Sequence, residues 1–399
     1  MSKKFVVVVP DGCADYPIPE LGNKTIFEAA FKPNLDAIAM TGIQGLSHTV
    51  PQHLPPGSDV AMTAVMGYDP ATYYTGRAPI EAVAQGIDVS PTDWIFRTNL
   101  ITINNDTMAD HSAGHISSEE GKAFIDEMNK NFGSDDIRFY PGVGYRHLMV
   151  VKNHDFSEIT TMPPHDHIGK KIVDLLPRGK NVELLNDIIA KSKSLFANHP
   201  INTKRKSLGK NTADSVWFWG QGKKAQMESF KEKYGLNGAV ITAVDLVKGL
   251  GYLIGFDFIQ VEGATGYFDT NYRGKGLAAI EALKNHDIVL VHVEATDEAG
   301  HEGKADVKKK ALEEIDKHII GPVMAELQNY DFWRIVVLPD HPTPVSTKGH
   351  VNEPVPFAMA GTGISGTVHL PLSEANAATT GIVFPKGFEL MEFFLNGKP

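Results

Sequence analysis

The stretch Ile335-Val336-Val337-Leu338-Pro339-Asp340-His341-Pro342-Thr343-Pro344-Val345-Ser346-Thr347-Lys348-Gly349-His350 decides how this chain is read. Its first four residues are β-branched or aliphatic, the composition of a buried strand. They run into Asp340-His341, a loop held open by Pro342 and Pro344, and then His350. A carboxylate and neutral imidazoles at the end of a buried strand suit a divalent cation of the zinc or manganese type. In an open α/β sheet, ligands gather outside the carboxyl ends of the strands. Asp-His-Pro is also ordinary loop chemistry, so this segment alone leaves both readings open.

Two further stretches repeat the form. Phe5-Val6-Val7-Val8-Val9 leads into Pro10-Asp11-Gly12. Asp287-Ile288-Val289-Leu290-Val291-His292-Val293 leads into Glu294-Ala295-Thr296-Asp297-Glu298-Ala299-Gly300-His301. Asp297 and His301 are four apart, which puts them on one face if that turn is helical. Three apolar runs that each end in an acid, or an acid with a histidine, are a pattern that chance rarely supplies.

Working outward, 399 residues exceed one typical domain, and about two are expected. Hydrophobic residues at 42% and charged residues at 22% are ordinary for a globular enzyme with a core. A net charge of −10 argues against a nucleic-acid surface while allowing a local basic pocket. The single cysteine, Cys13, permits no intrachain disulfide. The apolar run after Met1-Ser2-Lys3-Lys4 is too short for a signal peptide, and no segment approaches the roughly 20 apolar residues of a membrane span. A cytoplasmic protein is expected, in which the sequon Asn105-Asp106-Thr107 has no use.

Strand and helix patterns alternate on both sides of a stretch of different character. The fold class expected is α/β, a doubly wound, mostly parallel sheet, with a smaller α+β domain inserted. The main domain would comprise residues 1–87 and 226–399, and the insert residues 88–225. Within the main domain, residues 26–40 offer a helix face interrupted by Pro33. Residues 306–327 carry a core stripe, Leu312, Ile315, Ile319, Val323 and Leu327, at helical spacing. The insert holds the candidate anion binders Arg97, His115, Arg138, Arg146 and Arg205, taken as a set. Pro163-Pro164-His165-Asp166-His167 has a metal-like composition but lies away from the three strand ends, and reads as a polar loop. Gly361-Thr362-Gly363-Ile364-Ser365-Gly366 matches the dinucleotide pattern but lacks a following helix, so it is set aside.

One more residue type completes the chemistry. Ser58 follows Pro55-Pro56-Gly57 and precedes a helix-like apolar run, near a helix N-terminus that favours anions. A helix-capping serine is the commoner use of such a position. Asp11, Ser58, Asp297, His301, Asp340, His341 and His350 could together serve two cations with open positions, as in two-metal phosphoryl transfer. A serine hydroxyl on such a cation becomes a nucleophile for phosphorus. A Ser-His-Asp hydrolase would need the same residue types, but no Gly-x-Ser-x-Gly elbow is present. Cation binding should weaken as pH falls into the range of free histidine, about 6–6.5.

Pro10-Asp11-Gly12, Pro56-Gly57-Ser58-Asp59 with Met66-Gly67-Tyr68-Asp69-Pro70, Asp297-Glu298-Ala299-Gly300-His301-Glu302-Gly303, and Pro339-Asp340-His341-Pro342-Thr343-Pro344 with Gly349-His350 resemble one family. It is that of the cofactor-independent phosphoglycerate mutases of the short archaeal type, in the alkaline phosphatase superfamily. The resemblance spans essentially the whole chain. It implies a glycolytic and gluconeogenic enzyme that interconverts 3-phosphoglycerate and 2-phosphoglycerate through a phosphoserine at Ser58, without a bisphosphoglycerate cofactor. It implies one cation on Asp297, His301 and His350, and another on Asp11, Ser58, Asp340 and His341. Manganese is expected, with zinc or magnesium as substitutes. The insert would bind the glycerate part of a small phosphorylated substrate and close over the site, with Arg97, Asn99, His115, Arg146 and Arg205 as contacts. Asp110-His111-Ser112-Ala113-Gly114-His115 resembles a family segment that often carries Arg where His115 stands. Relatives of this subtype include homoserine kinase-like proteins, so a different acceptor hydroxyl is the alternative.

Overall fold

The computed structural model describes residues 3–366 and 368–397. Met1 and Ser2, at the head of the segment read for a signal peptide, lie outside them. Two compact units divide the chain, one formed by Met1–Tyr74 with Met227–Pro399 and the other by Thr75–Gln226.

The first unit is built on an eight-stranded sheet of β1 (Lys3–Pro10), β2 (Ile43–Ser47), β3 (Gly238–Ile241), β4 (Asp257–Phe258), β5 (Ile288–Val293), β6 (Phe332–Val337), β7 (Val355–Gly361) and β8 (Val383–Phe384). Their order is β4-β3-β5-β1-β6-β7-β2-β8. Every neighbouring pair is parallel except the two that involve β7. The mostly parallel α/β architecture expected from the sequence is what forms. The central strands are apolar on both faces because helices cover both, so β5 is buried at all its positions and β1 at all but Lys3. β1 lies between β5 and β6, with Pro10 opposite Val293 and Val8 opposite Val337. Three parallel neighbours must deliver their carboxyl ends to one edge, and that brings Asp11, Asp297 and Asp340 together.

Helical detail departs from expectation in two places. Residues 26–40 form two helices, Ile26–Ala29 and Pro33–Thr41. Pro33 starts the second helix instead of interrupting one, since its missing N–H is dispensable there, and Phe31 is left exposed. The stripe from Leu312 to Leu327 is buried as read. Its helix, however, widens into a π-helical turn over Asp316–Ile320 between Ala305–Ile315 and Gly321–Leu327. The turn aims the Asp316 carboxylate at the backbone N–H of Asn34 (3.3 Å) and Leu35 (2.7 Å), capping the Pro33 helix.

The second unit is an antiparallel sheet of Thr107–Asp110, Trp94–Asn104, Arg146–Val151, Ile137–Tyr140 and Ser215–Lys223. Helices Ser118–Phe132 and Glu183–Ala197 contribute Phe124, Met128, Leu185 and Ile189 to its own core. The unit begins at Thr75 rather than at residue 88. Helix Arg77–Ala84 packs Ala78 and Ala82 against Ile95, Leu148 and Val150, so it belongs with this sheet. Sequence pattern shows that the helix has an apolar face but not which core receives it. Among the described residues, no helix is long and apolar enough to cross a membrane.

Candidate active site

Asp11 leaves β1 with its backbone N–H bonded to Val293 O (3.0 Å), which fixes it beside the end of β5. After β5, helix Ala295–Glu302 starts at once, so Asp297 and His301 share one face, with His301 Nε2 3.1 Å from Asp297 Oδ2. After β6, Asp340 Oδ1 accepts from Gly12 N–H (3.1 Å) and His341 N–H (2.9 Å), locking the two loops together. His350 returns to this edge, its Nε2 2.9 Å from His301 Nε2 and 3.5 Å from Asp297 Oδ1.

Ser58 is the first residue of helix Ser58–Val65, and its side chain caps nothing. Its Oγ instead donates toward Asp11 Oδ2 (3.5 Å) and lies 3.2 Å from His341 Nε2. The seven residues singled out by sequence therefore meet in the first unit. Two groups have ligand atoms within 4.8 Å of one another, Asp297 with His301 and His350, and Asp11 with Asp340 and His341.

A third such group, Asp11 with His292 and Glu294, was missed in the sequence. His292 is fully buried in β5, with Nε2 2.6 Å from Asp11 Oδ2 and Nδ1 3.1 Å from Thr242 Oγ1. A histidine inside an otherwise apolar strand was the signal available. Lys275, also fully buried, donates to His292 O (2.8 Å), and burial lowers its pKa to about 8. Thr343 was likewise passed over. It is fully buried, bonded to Asp297 Oδ1 and 3.2 Å from His341 Nδ1.

Electrostatics separates carboxylates that sit side by side. Burial, then Asp340, Glu294 and Asp297, push Asp11 well above the ordinary carboxyl range. Burial and Asp297 raise Glu294 to about 8. Burial opposes ionisation of Asp297 too, but hydrogen bonds from His301 and His350 outweigh it and hold Asp297 well below the usual range. His301 is raised to about 9, mainly by its bond to Asp297. Burial lowers His341, and lowers His292 to about 3.

A scan of family models matches residues 39–202 to one described as 2,3-bisphosphoglycerate-independent phosphoglycerate mutase. A protein of that name from Methanosarcina mazei is 52% identical over 89% of this chain and 90% of its own length. One from Geobacter sulfurreducens, named as probable, is 46% identical over 98% of this chain and 100% of its own. The chain belongs to the 2,3-bisphosphoglycerate-independent phosphoglycerate mutases. A solved cofactor-independent phosphoglycerate mutase from Thermoplasma acidophilum superposes on this mutase-family chain with a TM-score of 0.70, 26% identity and full coverage of both chains. The family name carries independence from bisphosphoglycerate, and the homoserine alternative is not favoured.

The donor set of this mutase fits divalent cations on its own terms. The buried oxygens Asp11 Oδ1, Asp340 Oδ2 and Glu294 Oε2 have no hydrogen-bond partner among the described residues. An unpartnered buried carboxylate oxygen is costly unless something positive meets it.

The candidates in the second unit divide. Arg97 is buried against the Trp219 ring (4.2 Å) with Nε 3.0 Å from Glu81, and burial lowers its pKa to about 10. Arg146 and His115 are exposed, with Arg146 lying over Tyr145. Arg138 is exposed on its strand, as a solvated face residue would be. The Arg205 guanidinium bonds Glu120 (2.5 Å) and the carbonyls of Asn211, Ala113 and Gly114. Asn99 accepts from Trp219 Nε1 (2.9 Å) and donates to His111 O (3.0 Å). The segment read as a polar loop forms a 3-10 turn, Pro164–His167, and packs His165 against Trp219 (5.1 Å) and His111 (6.1 Å).

Proposed function

We propose that this chain interconverts 3-phosphoglycerate and 2-phosphoglycerate in the cytoplasm through a phosphoserine at Ser58. One observation carries the reading. Ser58 Oγ, at a helix N-terminus it does not cap, sits between the His341 imidazole and the buried Asp11 carboxylate, whose Oδ1 has no hydrogen-bond partner among the described residues. Asp297, His301 and His350 would hold one divalent cation, and Asp11, Ser58, Asp340 and His341 the other. Mn2+ is the first choice, with Zn2+ or Mg2+ able to substitute at oxygen and imidazole donors. When bound, such cations lower the pKa of a coordinated hydroxyl and neutralise charge on the transferring phosphoryl group.

Ser58 Oγ attacks phosphorus as the bond from phosphorus to the glycerate oxygen breaks. The proton lost by Ser58 is matched by the one the departing glycerate oxygen gains. Within the first turn of the Ser58 helix, Val60 N–H and Ala61 N–H are bonded to Gly57 O (3.1 and 2.9 Å), so the N–H groups that precede them are the ones that suit the phosphoryl oxygens. The bound glycerate then presents its other hydroxyl and takes the phosphoryl group back. Arg97, Arg146 and His115 are the proposed contacts to the anionic glycerate, Arg97 already oriented by Glu81 and Trp219. Ser58→Ala should abolish turnover, at least 10³-fold as estimated for a lost covalent nucleophile, while Mn2+ uptake persists. Mutase activity near that of the parent in this variant would sink the mechanism.

A further inference from the structure

Three imidazoles of the site turn the same nitrogen inward. Nε2 of His301 and of His350 are 2.9 Å apart, and Nε2 of His341 faces Ser58 Oγ at 3.2 Å. Each ring has its Nδ1 engaged on the far side. His301 Nδ1 lies 3.0 Å from Lys348 O, and His350 Nδ1 3.3 Å from Pro56 O. A carbonyl oxygen only accepts, so in the neutral rings these Nδ1 atoms carry the hydrogen and Nε2 the lone pair. His341 is different. Its Nδ1 is 3.2 Å from Thr343 Oγ1, and a hydroxyl can donate or accept. The second partner of that hydroxyl removes the ambiguity. Thr343 Oγ1 also bonds Asp297 Oδ1, and a carboxylate has no hydrogen to give. The one hydroxyl hydrogen goes to Asp297, which leaves a Thr343 lone pair for His341 Nδ1–H.

We propose that Thr343 is a positioning residue that sets the tautomer of His341 and thereby couples the two cation-binding groups. The coupling rests on the two-cation reading given above. Asp297 belongs to one group and His341 to the other, and Thr343 is the hydrogen-bonded link between them. The link is held from several sides. Thr343 N–H donates to Gly12 O (3.1 Å), and Thr343 O accepts from Lys308 Nζ (2.8 Å). Gly12, at φ +61°, leaves the space the link needs, since a Cβ there would stand 2.3 Å from Asp297 Oδ1 and 2.5 Å from Thr343 Oγ1. A valine has nearly the shape of threonine, so the hydroxyl can be removed with little change in volume.

The test uses full-length wild type, Thr343→Val and Thr343→Ser, with isotope-labelled histidine and stripped of metal. Nitrogen NMR of neutral His341 should show hydrogen on Nδ1 in wild type, a mixture or the opposite tautomer in Thr343→Val, and recovery in Thr343→Ser. Calorimetric titration with Mn2+ should show binding weakened about 10- to 100-fold in the valine variant, the usual scale for a lost partner of a ligating histidine, and restored by serine. Hydrogen on Nε2 of His341 in the wild type would overturn the proposal. So would Mn2+ binding by folded Thr343→Val within twofold of wild type. Wild type that takes up no Mn2+ overturns the two-cation reading and the coupling with it, while the tautomer is read separately. Should the valine variant fail to fold, the wild-type tautomer and the serine variant still decide.

Discussion

His301 is the residue through which pH reaches the candidate cation site. Its bond to Asp297 raises its pKa to about 9, against the opposing effect of burial. A cation can take Nε2 only as that proton leaves. Mn2+ affinity should therefore keep rising from about pH 6.5, the free-histidine value, to about 9, and flatten above it. The free-histidine window of about 6–6.5 read from sequence thus moves upward, because a carboxylate four residues earlier stabilises the charged ring. Mn2+ titration across this range checks it, and an affinity already flat between about pH 7 and 9 would contradict it. Asp297 and His301 were legible in the sequence because their relation is local. His292 was not, since its role is a bond to a residue 281 positions away.

At the level of elements, helix Ala305–Ile315 does more than cover the sheet. Its Lys308, fully buried, donates to Asp15 Oδ2 (2.8 Å), Ala14 O (3.3 Å) and Thr343 O (2.8 Å). One ammonium thus ties the loop after β1 to the loop after β6, the two that carry Asp11 and Asp340. Removing one partner of a buried pair leaves the other charged and uncompensated, a cost of roughly 3–5 kcal/mol. Lys308→Met should lose stability on that scale in chemical denaturation. A loss under about 1 kcal/mol would mean that Asp15 finds another partner. The apolar stripe of this helix was readable from its spacing. The π turn at Asp316 was not, because its reason is a helix N-terminus 281 residues earlier in the chain.

For the whole molecule, the apolar core of the sheet should hold the fold without cations. Chelation is expected to abolish activity reversibly, with Mn2+ restoring it and far-UV circular dichroism nearly unchanged. Stability should still respond to pH. Burial raises the folded-state pKa of Glu294 to about 8 and raises Asp11. Such a carboxyl contributes stability that is fully present below its unfolded value, about 4.3 for Glu, and lost as pH rises through the folded value. His301, raised to about 9, acts in the same direction from about 6.5 upward. Buried neutral histidines such as His292, lowered to about 3, act in the opposite direction below about 6.5, so the Tm of stripped protein should fall between about pH 6.5 and 8, and saturating Mn2+ should remove most of that fall. Calorimetry checks this, and a Tm that climbs over the same range would overturn it. The sequence by itself determined the mostly parallel α/β class and the three strands that end in acids, and it singled out the seven residues that meet near those ends. Period, composition and short spacings encode burial and local chemistry directly. Only the tertiary structure decided that β1 lies between β5 and β6, that Thr343 joins Asp297 to His341, and that Arg205 braces its own unit. It also placed the division at Tyr74 and Thr75, where helix Arg77–Ala84 finds its core. These depend on which faces meet, and that is fixed by strand order and packing summed over the whole chain, not by any stretch of it.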